Sequence, residues 1–135
     1  MTIVVDSSAI VALGLADEDA FYAEAVLERL AIEPAAAPML FWYELRNVML
    51  QGERRNRISR IDVDLFLGEF NRLAIAMDTT PDESDVLRLA RKHGLTSYDA
   101  SYLELAIRMT ATMATLDKRL RDAALAELVP VLPNP

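Results

Sequence analysis

Short apolar runs set at intervals along the chain constrain its fold more than any other feature. Residues 2–5 (TIVV), 74–77 (AIAM), 112–116 (TMATL) and 129–132 (VPVL) are too short for helices and lack the polar alternation of a half-exposed strand. They read as strands buried on both faces. AAAPM, at 35–39, is a weaker candidate of the same kind. Between them lie helix-length segments. Residues 9–15 (AIVALGL) suit a short helix capped by Asp6 or Ser7. Asp17 opens a second helix over 17–32, which Pro34 ends. Further helices are expected over 40–54 and 62–73, with 56–61 as a connection. Pro81 suits the first turn of the next helix, where Asp82, Glu83 and Asp85 face its positive end and His93-Gly94 marks its stop. The last two are expected over 97–110 and 118–128. Strands that alternate with helices and are apolar on both faces imply a central parallel sheet covered by helices.

Bulk composition narrows the function. The chain has 135 residues, 53% of them hydrophobic and 26% charged, which is the composition of a globular protein. It has no cysteine, so disulfides and thiolate metal sites are excluded, and a reducing cytoplasm is compatible. Neither a signal peptide nor a transmembrane-length apolar run is visible, so a soluble protein with no membrane association is expected. Fourteen Lys and Arg against 21 Asp and Glu give a net charge of −7, which argues against a simple electrostatic binder of nucleic acid. A metal-dependent nuclease is not excluded, because a metal ion supplies positive charge locally.

Four acids carry the chemistry. Ligands of a parallel α/β sheet bind outside the carboxyl ends of the strands. Asp6 closes the first strand and Asp117 the fourth, so both are expected on that edge. Each also suits a helix N-cap. Asp99 completes the capping-box pattern Thr96-Ser97-Tyr98-Asp99, yet it heads a helix face made of Tyr102, Leu103, Ala106 and Ile107, where a carboxylate loses hydration. Glu44 stands at the margin of a stripe formed by Phe41, Trp42, Leu45, Val48 and Met49. If the four converge, mutual repulsion raises their pKa values and a hard divalent cation relieves it. Such a cluster suits phosphodiester hydrolysis.

Residue by residue, the chain resembles the PIN-domain family, and specifically the VapC-type toxins of type II toxin–antitoxin systems. The resemblance rests on VVDSSAIVAL, on the glutamate of WYELRNVML, on LTSYDASYLELA and on ATLDKRL. It implies one PIN-like domain over residues 1–135: a three-layer α/β/α sandwich with a central, mainly parallel sheet of four to five short strands. It further implies an endoribonuclease that uses Mg2+ or Mn2+, with Asp6, Glu44, Asp99 and Asp117 as catalytic and metal-binding acids. Asp6 and Asp99 would be the direct ligands. Ser8 and Thr115 match family hydroxyls that orient carboxylates or water, and Asn47 matches a frequent asparagine beside Glu44. The products would carry a 5′-phosphate and a 3′-hydroxyl. The partners implied are RNA, a second copy in a homodimer, and a VapB-type antitoxin whose C-terminal segment blocks the site; operator DNA would be met only through the antitoxin. A cytoplasmic location follows.

Other features keep two readings. Arg54, Arg55, Arg57 and Arg60 form either a solvated helix end or a rim that contacts RNA phosphates or a partner protein. Met39, Phe41, Trp42 and Tyr43 are either core or the lining of a groove for an apolar helix. His93, in RKHG, suits a helix C-terminus better than catalysis. Two rival functions stand beside the nuclease. One is a receiver-like Mg2+-binding phosphoacceptor, in which Asp78 would imitate the central acid. The other is a non-catalytic PIN-like binding module.

Overall fold

The computed structural model describes residues 1–14 and 20–132. The expected helix start at Asp17 and the last residue of AIVALGL, Leu15, lie outside the described residues. The order is β1 (Ile3–Val5), α1 (Ser7–Gly14), α2 (Ala20–Leu30), β2 (Ala35–Pro38), α3 (Leu40–Arg54), α4 (Arg60–Phe70), β3 (Ile75–Asp78), α5 (Glu83–His93), α6 (Ser97–Arg108), β4 (Thr112–Ala114), α7 (Lys118–Ala126) and β5 (Val131–Leu132). All the pairings are parallel, and the five strands lie in the order β3-β2-β1-β4-β5.

The topology assigns the helices to layers. From β1 the chain steps to β2 and β3 on one side, then crosses back to β4 and β5 on the other. Right-handed crossovers that run in opposite directions place α1–α4 on one face and α5–α7 on the other. The packing agrees: α1 lies on α2 and α3, α3 on α4, and α6 on α5 and α7. Ile3, Val4 and Val5 are fully buried, which explains why the first run has no polar alternation. Helix α6 covers β1 and β2 and buries Tyr102, Leu103, Leu105 and Ala106, each large side chain contributing roughly 1.5–3 kcal/mol.

Several boundaries differ from the sequence expectation, each for a visible reason. Helix α4 begins inside the expected 56–61 connection because the Ser59 side chain caps it, accepting from Asp62 N at 3.0 Å. Helix α5 begins after Pro81, not around it, because Asp82 is the cap and accepts from Asp85 N at 3.0 Å. Gly94 closes α5 at φ +63°, as a glycine stop requires. Strand β4 ends at Ala114, short of 116, because the N–H groups of Leu116 and Asp117 turn to the hydroxyls of Ser8 and Thr115. Trp42, expected in the α3 core stripe, is 41% exposed. Phe41, Leu45 and Met49 bury that stripe at four-residue spacing with Val48 half-buried beside them, and Trp42 instead lies under the Arg46 guanidinium, 3.8 Å from its ring centroid.

Candidate active site

In this strand order the chain reverses direction between β1 and β4, so a crevice opens beyond their carboxyl ends. Asp6 leaves β1 at that point, and Thr115, Leu116 and Asp117 leave β4 beside it.

Asp6 is buried and held from both sides. Its Oδ1 accepts from the Ser8 hydroxyl at 2.5 Å and from Ala9 N at 3.1 Å, so it also caps α1. Its Oδ2 accepts from the buried Thr115 hydroxyl. Each hydroxyl has a second role: Ser8 Oγ accepts from Leu116 N at 2.9 Å and Thr115 Oγ1 from Asp117 N at 3.0 Å. Together they tie the end of β1 to the loop after β4. Burial pushes the Asp6 carboxyl up to about 6, against the pull of its three hydrogen bonds and with a further push from Asp117.

The other acids arrive from three helices. Asp117 is the N-cap of α7, accepting from Leu120 N at 3.0 Å, and is exposed. Asp99 stands in the first turn of α6, where Thr96 caps its N–H at 3.1 Å. Its carboxyl is raised by burial and by the charge of Asp117, while Thr96 and the nearby Arg119 pull it down. Glu44, on α3, is raised by burial and by Asp99, and it accepts a 2.5 Å hydrogen bond from the Tyr102 hydroxyl. Electrostatic neighbourhood therefore runs as a chain: Glu44 to Asp99, Asp99 to Asp117, Asp117 to Asp6. Among the described residues, no three His, Asp or Glu side chains already close on one point as a metal cage would. The donor set nonetheless suits a hard cation, since it is all carboxylate, Asp6, Glu44 and Asp99 are destabilised as anions, and Mg2+ needs only one or two direct carboxylates.

The remaining candidates separate. Ser8 and Thr115 both touch Asp6. Asn47 is exposed and lines a groove with Trp42, Tyr43, Glu44, Arg46 and Leu50. Arg54, Arg55 and Arg57 are exposed at the far end of α3, with Arg54 about 15 Å along the helix axis from Glu44. His93 pairs with Glu127 at 2.8 Å. Asp78 is gripped by Arg108 through contacts of 2.7 and 3.1 Å, on the edge strand β3 and away from the crevice. In the sequence Tyr102 stands out only as part of an apolar face, and its bond to Glu44 appears first in the fold. The signal was available, because a buried tyrosine hydroxyl seeks a partner.

The sequence model of the PIN domain matches residues 3–125. The chain belongs to the PIN-domain family. It is 31% identical, over the whole of both chains, to Ribonuclease VapC3 of Pyrobaculum aerophilum. Among solved structures, PAE2754 from the same organism matches with a TM-score of 0.70 and 28% identity, covering 91% of this chain and 84% of the other. VapBC2 from Rickettsia felis, solved bound to a DNA fragment from its promoter, matches with a TM-score of 0.68 and 15% identity, covering 97% of each chain. At that identity the likeness concerns the fold alone. Membership of the PIN family sets aside the receiver-like phosphoacceptor, whose central acid would have been the arginine-bound Asp78.

Proposed function

We propose that this PIN-domain protein is a metal-dependent endoribonuclease, the toxin of a type II toxin–antitoxin pair. The observation that carries the reading is the chain of mutually repelling carboxylates, Glu44–Asp99–Asp117–Asp6, at the switch point of the sheet. Whole-length similarity to a protein named as a VapC ribonuclease supports the substrate class.

Asp6 and Asp99 would hold Mg2+ or Mn2+ directly, with Glu44 and Asp117 holding its waters. The bound ion would activate water and offset charge on the scissile phosphate. The protein's own part is positioning. Ser8 and Thr115 fix the Asp6 carboxylate, and Tyr102 fixes one oxygen of Glu44. Asp6, Asp99 and Asp117 sit at or beside element ends and Glu44 within α3, which limits their drift. The exposed groove along Trp42 and Tyr43 offers an apolar seat beside Glu44 for the C-terminal segment of a VapB-type antitoxin. In this reading the toxin is a homodimer that reaches operator DNA only through its antitoxin.

The test is cleavage of RNA with Mg2+ or Mn2+ by the wild type and by Asp99→Asn. The variant is expected to lose cleavage yet melt no lower than wild type in metal-free buffer, because the substitution removes a repelling charge. Either ion at millimolar concentration should raise the wild-type Tm. Cleavage that survives Asp99→Asn would refute the assignment of the site, and a wild type that does not cleave RNA would leave the non-catalytic binding module in its place.

A further inference from the structure

We propose that the cavity between the C-terminal end of α5 and the first turn of α7 is a phosphate subsite, which seats the RNA backbone beside the acids. This rests on the ribonuclease reading above and specifies how the substrate is held.

The need for such a subsite follows from charge. A polyanion has to approach four carboxylates on a protein of net charge −7, so cations must stand close to the acids. The arginine run at 54–60 does not stand close: Arg54 is about 15 Å down α3 from Glu44. Lys118 and Arg119 do. They are the two residues after Asp117, in the first turn of α7, and both are exposed. They line a cavity of about 490 Å³ with His93, Asp122 and Ala123.

Arg119 joins this cavity to the acids. Its charge acts on Asp99, and its guanidinium reaches Gly94 O only at 3.4 Å, a contact weak enough to exchange for a phosphate oxygen. Lys118 makes no ion pair among the described residues, so its ammonium is uncommitted. His93, also on the lining, is held by Glu127 at 2.8 Å, a carboxylate that binds Lys92 at 2.6 Å as well, which leaves Lys118 and Arg119 as the uncommitted basic side chains of the lining. Asp122 is the one carboxylate on the lining. An RNA strand laid across Lys118 and Arg119 brings the neighbouring phosphate towards Asp99 and Asp117.

The experiment measures binding of a labelled single-stranded oligoribonucleotide to the full chain in EDTA, from about 50 to about 200 mM salt. Each phosphate contact on a single strand contributes about 0.7 to the slope of log K against log salt. Replacing both cations, as Lys118→Gln with Arg119→Gln, should lower the slope by about 1.4 and weaken low-salt binding by about tenfold. Arg119→Lys should keep the slope, because it retains the charge while changing the contact to Gly94. Arg54→Ala with Arg55→Ala should leave the slope unaltered. With metal added, the Gln pair should raise KM far more than it lowers kcat. Inorganic phosphate at matched ionic strength should displace no more RNA than chloride does. An unchanged slope in the Gln pair overturns the subsite while the ribonuclease stands, provided the wild type cleaves. Displacement by millimolar phosphate would make the cavity a monophosphate site and overturn the backbone assignment. A wild type that neither binds nor cleaves RNA overturns the ribonuclease reading and the subsite with it.

Discussion

The Thr115 hydroxyl donates to the buried carboxylate of Asp6 and at the same time accepts from the backbone N–H of Asp117, at 3.0 Å. One side chain on the strand exit thus couples two of the four acids. Thr115→Val keeps the shape and removes both bonds. A charge-assisted hydrogen bond to a buried carboxylate is worth about 1.5–3 kcal/mol, so urea unfolding at pH 7 should show a loss of that size. Thr115→Ser retains the hydroxyl and should lose less than about 1.5 kcal/mol, the smaller methyl-deletion cost. Equal losses in the two variants would show that the hydroxyl contributes nothing.

Asp6 also sets a pH dependence. Its folded value of about 6 lies above the ordinary 3.8, because burial disfavours the charged form. Between those values the folded protein binds more protons than the unfolded chain. Stability from this group is therefore fully present below pH 3.8, falls as pH rises to about 6, and is flat above. At about 1.4 kcal/mol per unit the fall amounts to roughly 3 kcal/mol. Asp78 and Glu127, whose values are lowered by their cationic partners, act in the opposite sense and lower in pH. The difference between wild type and Asp6→Asn in metal-free buffer isolates the Asp6 contribution. The stability of the wild type relative to the variant should rise as pH falls from about 6 to 4, and a difference that is constant across that window would count against a raised Asp6.

What the sequence disclosed follows the range of the forces involved. Strand runs, the Gly94 stop and the caps at Thr96 and Asp117 are local signals, and they place the elements and bring Asp6 and Asp117 to one edge. Pro81 reads as the first turn of α5, and only the bond from Asp85 N to the Asp82 side chain shows that the helix starts after it. Trp42 was misplaced because an apolar side chain within about 100° of a buried stripe looks the same whether a neighbour covers it or an arginine does. Tyr102 and Arg119 were missed as site residues for a related reason, since their partners, Glu44 and Asp99, are distant in sequence. Pairwise repulsion among the acids is likewise a tertiary fact, which motif order suggests and only the fold supplies.

Tyr102 should act as a positioning residue. Its ring is buried under α6 and only its hydroxyl reaches Glu44, at 2.5 Å. Tyr102→Phe leaves the ring packing and frees the Glu44 carboxylate to rotate. The expected result is a kcat for RNA cleavage lower by about tenfold, the equivalent of one net hydrogen bond, with KM little changed. The metal concentration for half-maximal activity should rise as well, a response that a purely structural role would not produce. Full activity at ordinary metal concentration would remove Tyr102 from the site.

Glu104 is a buried carboxylate outside the crevice, and its stability role is separable from catalysis. Arg108 grips it at 2.8 and 3.1 Å and also holds Asp78, while Asp82 N donates to it at 3.0 Å, so the ends of α5, α6 and β3 meet on one charge network. Arg108→Met takes the cationic partner from the buried Glu104 carboxylate, which costs about 3–5 kcal/mol. Glu104→Gln in the same chain removes that charge, keeps an acceptor for Asp82 N and should recover most of the loss. Thermal melts of the single and double variants measure the recovery, and a double variant no more stable than Arg108→Met would show that the burden is lost packing and not a stranded charge. Because none of these side chains touches Asp6, Glu44, Asp99 or Asp117, cleavage per folded molecule should be unchanged in both variants.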